Sequence, residues 1–509
     1  MKRAGDCISR TVSQLDAPLY RAARRFVRSG TKSLHVPLHG RGPGAPWLRQ
    51  VGFNSLMKWD LTELDPLDDL HLPRGAIKEA QGLAAQLFRA SKTFFMINGV
   101  TGGLLALFMA FAPPGRKVLL TRLAHKAVLH GIALSGARPV YLPIEKEPST
   151  NFPLNVSPQS VEKGLLKNPE TALVLVTSPS YWGVAADLPA LRKVTEKFGA
   201  ILAIDEAHGG HFPFYGDRLP HGAMAGVDLW LHSAHKSLGS LTPGALLHLG
   251  KKISSSKIGF WLQVMQTSSP SYPVMISLDL MRRQMALRGE EMFSRLWDWG
   301  QTIRRGLSAR GFAFLQVEKV EEMGFYLDPC RITLLFPRGG GHEFARLLAK
   351  RGYQVELEAG GYLLAIGGPA QLGRSYSPFL RALVRVRSLL DNKNRAIAAQ
   401  LPPQEFPPTF FAGAINNGEG NAAENFSPFP LSPRQALQAP PVSVLLEKAV
   451  GEICAEMVIV SPPGIPIIAP GEIIGKNVVH FLREKRAEGV FFQGVKDPTL
   501  KWITVVKKC

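Results

Sequence analysis

Cysteine is scarce. The 509-residue chain has four, Cys7, Cys330, Cys454 and Cys509, scattered without paired spacing. This excludes a disulfide framework or a cysteine-based metal centre, no metal is expected, and a reducing cytoplasm fits best. Long apolar runs are also missing. The longest, "LLALFMAFA" (Leu104 to Ala112), is far shorter than the roughly 20 residues that cross a bilayer. There is no acidic excess either: 60 Lys and Arg face 40 Asp and Glu, a formal charge of +20. The basic residues are spread out, with only short clusters such as "RAARRFVR" (Arg21 to Arg28). With no zinc-finger or RNA-binding signature, specific nucleic-acid binding is not expected. The first thirty residues hold arginines but no apolar signal core, and Asp6 and Asp16 count against a targeting peptide. They read as an ordinary first helix. No internal repeat is present.

What is there is a globular composition, 45% hydrophobic, on a chain long enough for several domains. Buried-strand patterns recur at "KVLLT" (Lys117 to Thr121), "PVYLPI" (Pro139 to Ile144), "TALVLVTSPS" (Thr171 to Ser180), "AILAIDEAH" (Ala200 to His208) and "VDLWLHSAHK" (Val227 to Lys236). Helical stretches such as "AHKAVLHGIALSG" (Ala124 to Gly136) and "LPALRKVTEKFG" (Leu188 to Gly199) lie between them. The alternation predicts an α/β fold with a mostly parallel sheet and functional groups at the C-terminal ends of its strands. After about Arg310, shorter strands "RITLLF" and "YLLAIG" around the helix "GHEFARLLAKRG" predict a smaller α+β unit. The Pro-, Gly- and Asn-rich stretch Leu401 to Gln435 reads as a linker or extended loop. The expected division is an N-terminal segment 1–55, a large domain 56–310, a small domain 311–400, a linker 401–435 and a C-terminal domain 436–509.

Polar residues crowd two strand ends, "AIDEAHGGHF" (Ala203 to Phe212) and "LHSAHKSLGSLTPGA" (Leu231 to Ala245). Asp205 and Lys236 each close an apolar strand. Upstream, "MINGVTGGLLALFMAF" (Met96 to Phe111) places a Gly-rich turn with a hydroxyl before an apolar helix, and a helix N-terminus suits a phosphate. A lysine that forms a Schiff base with an aldehyde, an aspartate that holds a protonated ring nitrogen, and a phosphate cradle are the fixed points of a pyridoxal phosphate site. His130, His211, His221 and His232 read as structural or surface residues. Glu206 is either a catalytic acid or a strand-end carboxyl satisfied by backbone donors.

In its motifs the sequence resembles the Orn/Lys/Arg decarboxylase family of fold-type-I pyridoxal phosphate enzymes. The resemblance runs from "SLHVPLHGRGPG" (Ser33 to Gly44) through "WDLTELDPLDDLHLPRGAIKEAQGLAAQLFRASKTFFMINGVTGG" (Trp59 to Gly103), "TRLAHKAVLHG", "TSPSYWGV", "DEAHGGHF" and "SAHKSLGSLTPGA" to "SPPGIPIIAPGE" (Ser461 to Glu472). It implies that Lys236 carries the cofactor and Asp205 pairs with the pyridine nitrogen. His125 would stack on the ring, with Ala207 and His208 on its other side. Val100, Thr101 and Gly102 would bind the phosphate, helped by Ser233 and His235. Departures from the family pattern are Val100 and Gly102 around a single Thr101, Leu38 in place of Gly, Trp182 in place of Asp, and Ser461 in place of Tyr.

The reaction so implied is decarboxylation of a basic amino acid, arginine ranked before lysine and ornithine. Glu356, Glu358 and Glu472 are the candidate carboxylates for its side chain. The expected working unit is a homodimer or larger, without the N-terminal receiver-like domain of the large acid-inducible relatives. Other readings are another fold-type-I reaction, such as transamination or carbon–carbon lysis, and a non-catalytic regulatory relative.

Overall fold

The computed structural model describes residues 13–336, 339–358, 361–394, 429–460 and 464–507. Cys7, Cys509, Ser461 and most of the expected linker lie outside the described residues. The chain divides into two compact units: one holds the N-terminal part through Gly103 with Leu231–Glu290, the other Leu104–Trp230 with Glu291 onward.

In the second unit four strands run parallel, in the order Ile201–Asp205, Thr171–Thr177, Lys117–Thr121, Arg138–Leu142. Nearly every residue of the first three of these strands is buried, as expected of parallel strands covered on both faces. The crossover helices are Lys126–Ser135, Pro158–Lys167 and Leu188–Lys197. Local chemistry sets their ends. Ser157 and Asp187 accept from the amides of Ser160 and Ala190, with Pro inside each first turn. Gly136, at φ 77°, stops the first of the three. Register places Thr177 opposite Asp205, so that carboxylate stands at the C-terminal edge, where an α/β sheet carries its ligands.

The same unit holds the expected small sheet, Arg331–Leu335 and Leu357–Glu358 each antiparallel to Tyr362–Ile366, packed by the helices Gly341–Ala349 and Ser377–Asn394. Its C-terminal part pairs Pro441–Leu445 with Trp502–Val506, and Val458–Val460 with Ile465–Ile468 and Phe492–Gln493.

In the first unit, Lys92–Met96 pairs antiparallel with Ala245–Leu249. The apolar helix Gly99–Phe111 starts three residues after the first of these strands. The first helix forms as Pro18–Arg28, and it is capped from far along the chain: the amides of Leu19 and Tyr20 donate to Asp279 at 2.9 and 3.2 Å. No helix among the described residues is long and apolar enough to cross a membrane.

Candidate active site

The first unit presents a grip. Gly99, at φ 67°, opens the helix Gly99–Phe111, so the first turn consists of Gly99, Val100, Thr101 and Gly102. The amide of Gly102 already donates to Asn98 at 3.3 Å. Gly99, Val100 and Thr101 therefore lead the helix with N–H groups that have no acceptor one turn back. Thr101 is exposed, Val100 buried. Glycine at 103 is a packing requirement. A Cβ there would lie 2.6 Å from Leu231, on the strand that leads to Lys236. A Cβ on Gly99 would touch Pro243, just beyond Lys236. The turn and the lysine segment are thus packed as one piece.

Ser233 precedes the short helix Ala234–Ser237 and is buried, while Lys236 is exposed. The amide and Nδ1 of His235 approach the carbonyl of Gly244 at 3.2 and 3.0 Å. A carbonyl only accepts, so Nδ1 carries a proton and Nε2 donates to a phosphate only when the ring is charged. Burial lowers the His235 pKa, and a bound dianion would raise it again. Beneath this loop His232 and His248 form a buried pair 3.2 Å apart, with Thr93 on His248 at 2.8 Å. His232 is therefore core.

The second unit presents fixed charge. Asp205 is buried, its Oδ1 accepting from the amide of Ala207 at 3.2 Å. His125 caps the helix Lys126–Ser135, its Nδ1 accepting from the amide of Ala127 at 3.2 Å. His208 takes a hydrogen bond on Nδ1 from Arg331 at 3.2 Å, and its ring meets Tyr181 edge-on. Glu206 is buried and accepts from the amide of Gly222 at 3.1 Å, the backbone-donor alternative of the sequence reading; burial pushes its carboxyl up to about 8. His211 is tied to Asp328 at 2.9 Å, His221 caps a short helix, and His130 is exposed.

The three candidate substrate carboxylates part company. Glu358 is exposed on a two-residue strand. Glu356 receives a short hydrogen bond from the hydroxyl of Tyr181. Glu472 is wholly buried, with both oxygens taken by Arg122, 2.9 Å for the longer contact, and further donors in Tyr141 and Ala469. That geometry gives Glu472 an internal partner. Trp182 is buried among Phe152, Tyr181 and Tyr362.

Arg331 escaped the sequence reading. It is buried with its Nε 3.8 Å from Asp328, neither Nε nor Nη1 has a hydrogen-bond partner among the described residues, and Gly183 leaves room for its stem, where a Cβ would stand 2.4 Å from Arg331 Cγ. The only local signal was an arginine opening an otherwise apolar strand.

The Orn/Lys/Arg decarboxylase major-domain model matches residues 17–329, and the C-terminal domain model matches residues 431–497. The chain belongs to this decarboxylase family. It is 31% identical to an arginine decarboxylase of Bacillus subtilis over 98% of its own length and 99% of the relative's. An arginine decarboxylase of Bacillus anthracis is likewise 31% identical, over 98% of both chains. Among solved structures it is similar in fold to the constitutive lysine decarboxylase of E. coli, with TM-score 0.78 and 19% identity, covering 97% of this chain and 82% of that one. An L-threonine transaldolase of Pseudomonas fluorescens shares the fold over 62% of this decarboxylase-family chain and 72% of its own, with TM-score 0.53 and 16% identity.

The donor set fits pyridoxal phosphate. A helix start that closes against the lysine segment through Gly99 and Gly103 suits a phosphate, and a buried strand-end carboxylate suits a ring nitrogen that must stay protonated.

Proposed function

We propose that the chain is a pyridoxal phosphate-dependent decarboxylase of a basic amino acid, with arginine the preferred substrate. The observation that carries this reading is the likeness to Bacillus arginine decarboxylases along almost the whole of both chains. Under this reading residues 56–310 form the cofactor domain, 311–400 the small domain and 436–509 the C-terminal domain.

Helix Gly99–Phe111 and the Thr101 hydroxyl would hold the phosphate, and Lys236 would supply the amine that anchors the aldehyde. Asp205 would hold the ring-nitrogen proton, while His125 and the Ala207–His208 turn would cover the ring. Bound pyridoxal phosphate supplies an electron sink for the pair left on the α-carbon when carbon dioxide departs. The buried surroundings of Asp205 strengthen its hold on that proton because water does not screen it. Glu356, oriented by Tyr181, is the favoured carboxylate for a guanidinium, which rewards a fixed bidentate partner more than an ammonium does.

The working unit we propose is a homodimer. Leu34, Leu38, Trp47 and Val51 are 98%, 85%, 78% and 70% exposed within eighteen residues of sequence, and such concentrated apolar exposure suits a partner surface.

Arg331 favours a second reading, transamination, in which a buried guanidinium grips the α-carboxylate. Physics weighs against it: a cation on that carboxylate stabilises a charge that decarboxylation must discard. Equal concentrations of arginine, lysine and ornithine test both. Agmatine with one carbon dioxide per amine is expected; a keto acid would establish the second reading, and dominance of another amine would overturn the arginine ranking.

A further inference from the structure

The segment around His125 is held from a distance. His125 lies just past the strand Lys117–Thr121 and opens the helix Lys126–Ser135. Nearby in the chain, the three residues between Thr121 and His125 are held by the turn Ala124 N–H to Thr121 O at 3.1 Å, by burial of Leu123 in the core and by the Tyr141 ring against Arg122. The polar contacts on either side of His125 come from more than 300 positions further along the chain.

Arg122 is bound bidentately to Glu472, lies 3.9 Å from the ring centre of Tyr141, and reaches the carbonyl of Ile467 at 3.5 Å. The amide of Lys126 donates to the carbonyl of Gly464 at 3.1 Å, and its ammonium reaches Gln493 at 3.2 Å. Gly464 sits at φ 83°, and a Cβ there would lie 3.3 Å from His125 Nε2 and 3.5 Å from Cδ2. The residues on both sides of His125, and one edge of its ring, are therefore set by the stretch Gly464–Glu472.

We propose that this stretch positions His125, with Glu472 acting through Arg122 and Gly464 serving as the wall against which the imidazole rests. Glu472 is then a positioning residue, which departs from its assignment as a substrate carboxylate. The inference rests on the reading of His125 as the group that covers the cofactor ring. Its physical basis is that a doubly hydrogen-bonded, fully buried ion pair tolerates little displacement of either partner. Gly464 matters twice: a side chain would be strained at that φ and would press on the ring.

The test uses the full-length protein without added cofactor. Exchange of the imidazole C2 hydrogen for deuterium, read by mass spectrometry, reports how freely each histidine opens. His125 should exchange slowly in the unmutated chain. Glu472→Gln should speed it by about tenfold or more, the scale of one lost charge-assisted bond, and Gly464→Ala should speed it as well, while His211, buried on Asp328, keeps its rate. An unchanged His125 rate overturns the proposal, and so does an equal rise at His211, which would mean general loosening. If Gly464→Ala fails to fold, Glu472→Gln decides alone.

A second measurement links the device to function. The affinity for pyridoxal phosphate, read by fluorescence, should fall in Glu472→Gln but not fall further when that change is added to His125→Ala. Additive losses would overturn the linkage. An unmutated chain that takes up no pyridoxal phosphate would defeat the functional reading, while the exchange comparison would still decide the positioning one.

Discussion

The two compact units place their candidate residues by different rules. On the first unit, Lys236 and Thr101 are exposed, standing on a four-residue helix and on the leading turn of a longer one. On the second, Asp205 and Glu206 are buried at a strand end, and Arg122 with Glu472 forms an internal clamp. Under the proposed function the difference matches what each group would do. An amine that forms and breaks a covalent bond needs access, and a hydroxyl at a helix start needs only a ligand to arrive. A carboxylate that holds a proton on a ring works best where water cannot compensate the charge. Exposed candidate groups thus stand on the first unit and buried charge on the second.

Lys236→Ala gives the largest effect that this contrast predicts. Loss of the covalent anchor should lower kcat by at least about four orders of magnitude, roughly 5.5 kcal/mol of barrier at 1.4 kcal/mol per decade. Because Lys236 is exposed, the melting temperature should change little. A large drop in melting temperature would show that the exposed lysine is structural after all.

Asp205→Asn comes next, with the reverse balance. An amide lacks the charge to keep a ring nitrogen protonated, so kcat should fall by about two to three orders of magnitude, the scale set by removing one preorganised electrostatic partner. The cofactor should still bind through the groups of the first unit. A near-normal rate would reduce Asp205 to the acceptor for the Ala207 amide.

A third contrast lies within the second unit. Glu356→Gln should raise KM for arginine by about tenfold, the scale of a lost charge-assisted hydrogen bond, while Glu358→Gln should change it by less than twofold. Only Glu356 is oriented by a neighbour, Tyr181. Steady-state kinetics on the two variants would separate them. Equal effects would remove Tyr181 from the account.

What was legible in the sequence follows the same division. The parallel strands could be read because burial on both faces leaves an apolar run, and Asp205 and Lys236 stood out as polar breaks at the ends of such runs. The strand Lys92–Met96 was not foreseen: it starts on an exposed lysine and pairs with a segment about 150 residues away. In the 37-residue helix Tyr272–Ser308 the buried face includes Arg282, Gly289 and Gly300, which interrupt the apolar pattern. Arg122 and Glu472 are separated by 350 positions, and no local pattern marks two charges as partners. Arg331 and Asp328 were hidden for a related reason, since charged residues are expected outside unless a partner is known. Sequence reading thus singled out the polar residues that close apolar strands and missed buried pairs such as Arg122 with Glu472.

Asp205 and Glu206 bring the comparison down to adjacent residues. The Asp205 side chain accepts from the next turn of its own loop, whereas Glu206 points to Gly222 N–H, with His221 and His211 nearby. Burial is the largest influence on Glu206 and raises its carboxyl from an ordinary 4.5 to about 8; the histidines and the Gly222 amide oppose the rise, and Asp205 adds to it. A raised carboxyl binds its proton more tightly folded than unfolded. Its contribution to stability is therefore present at low pH, declines as the pH rises from about 4.5 through about 8, and is flat above that. Glu206 should accordingly pull the melting temperature of the unmutated protein down across this window relative to a variant that cannot titrate there. Glu206→Gln keeps an acceptor for the Gly222 amide and cannot titrate, so its curve should slope less between pH 5 and 8, which calorimetry over a pH series would read. If both proteins show the same slope, Glu206 ionises as readily folded as unfolded, and the burial contrast does not reach the residue beside Asp205.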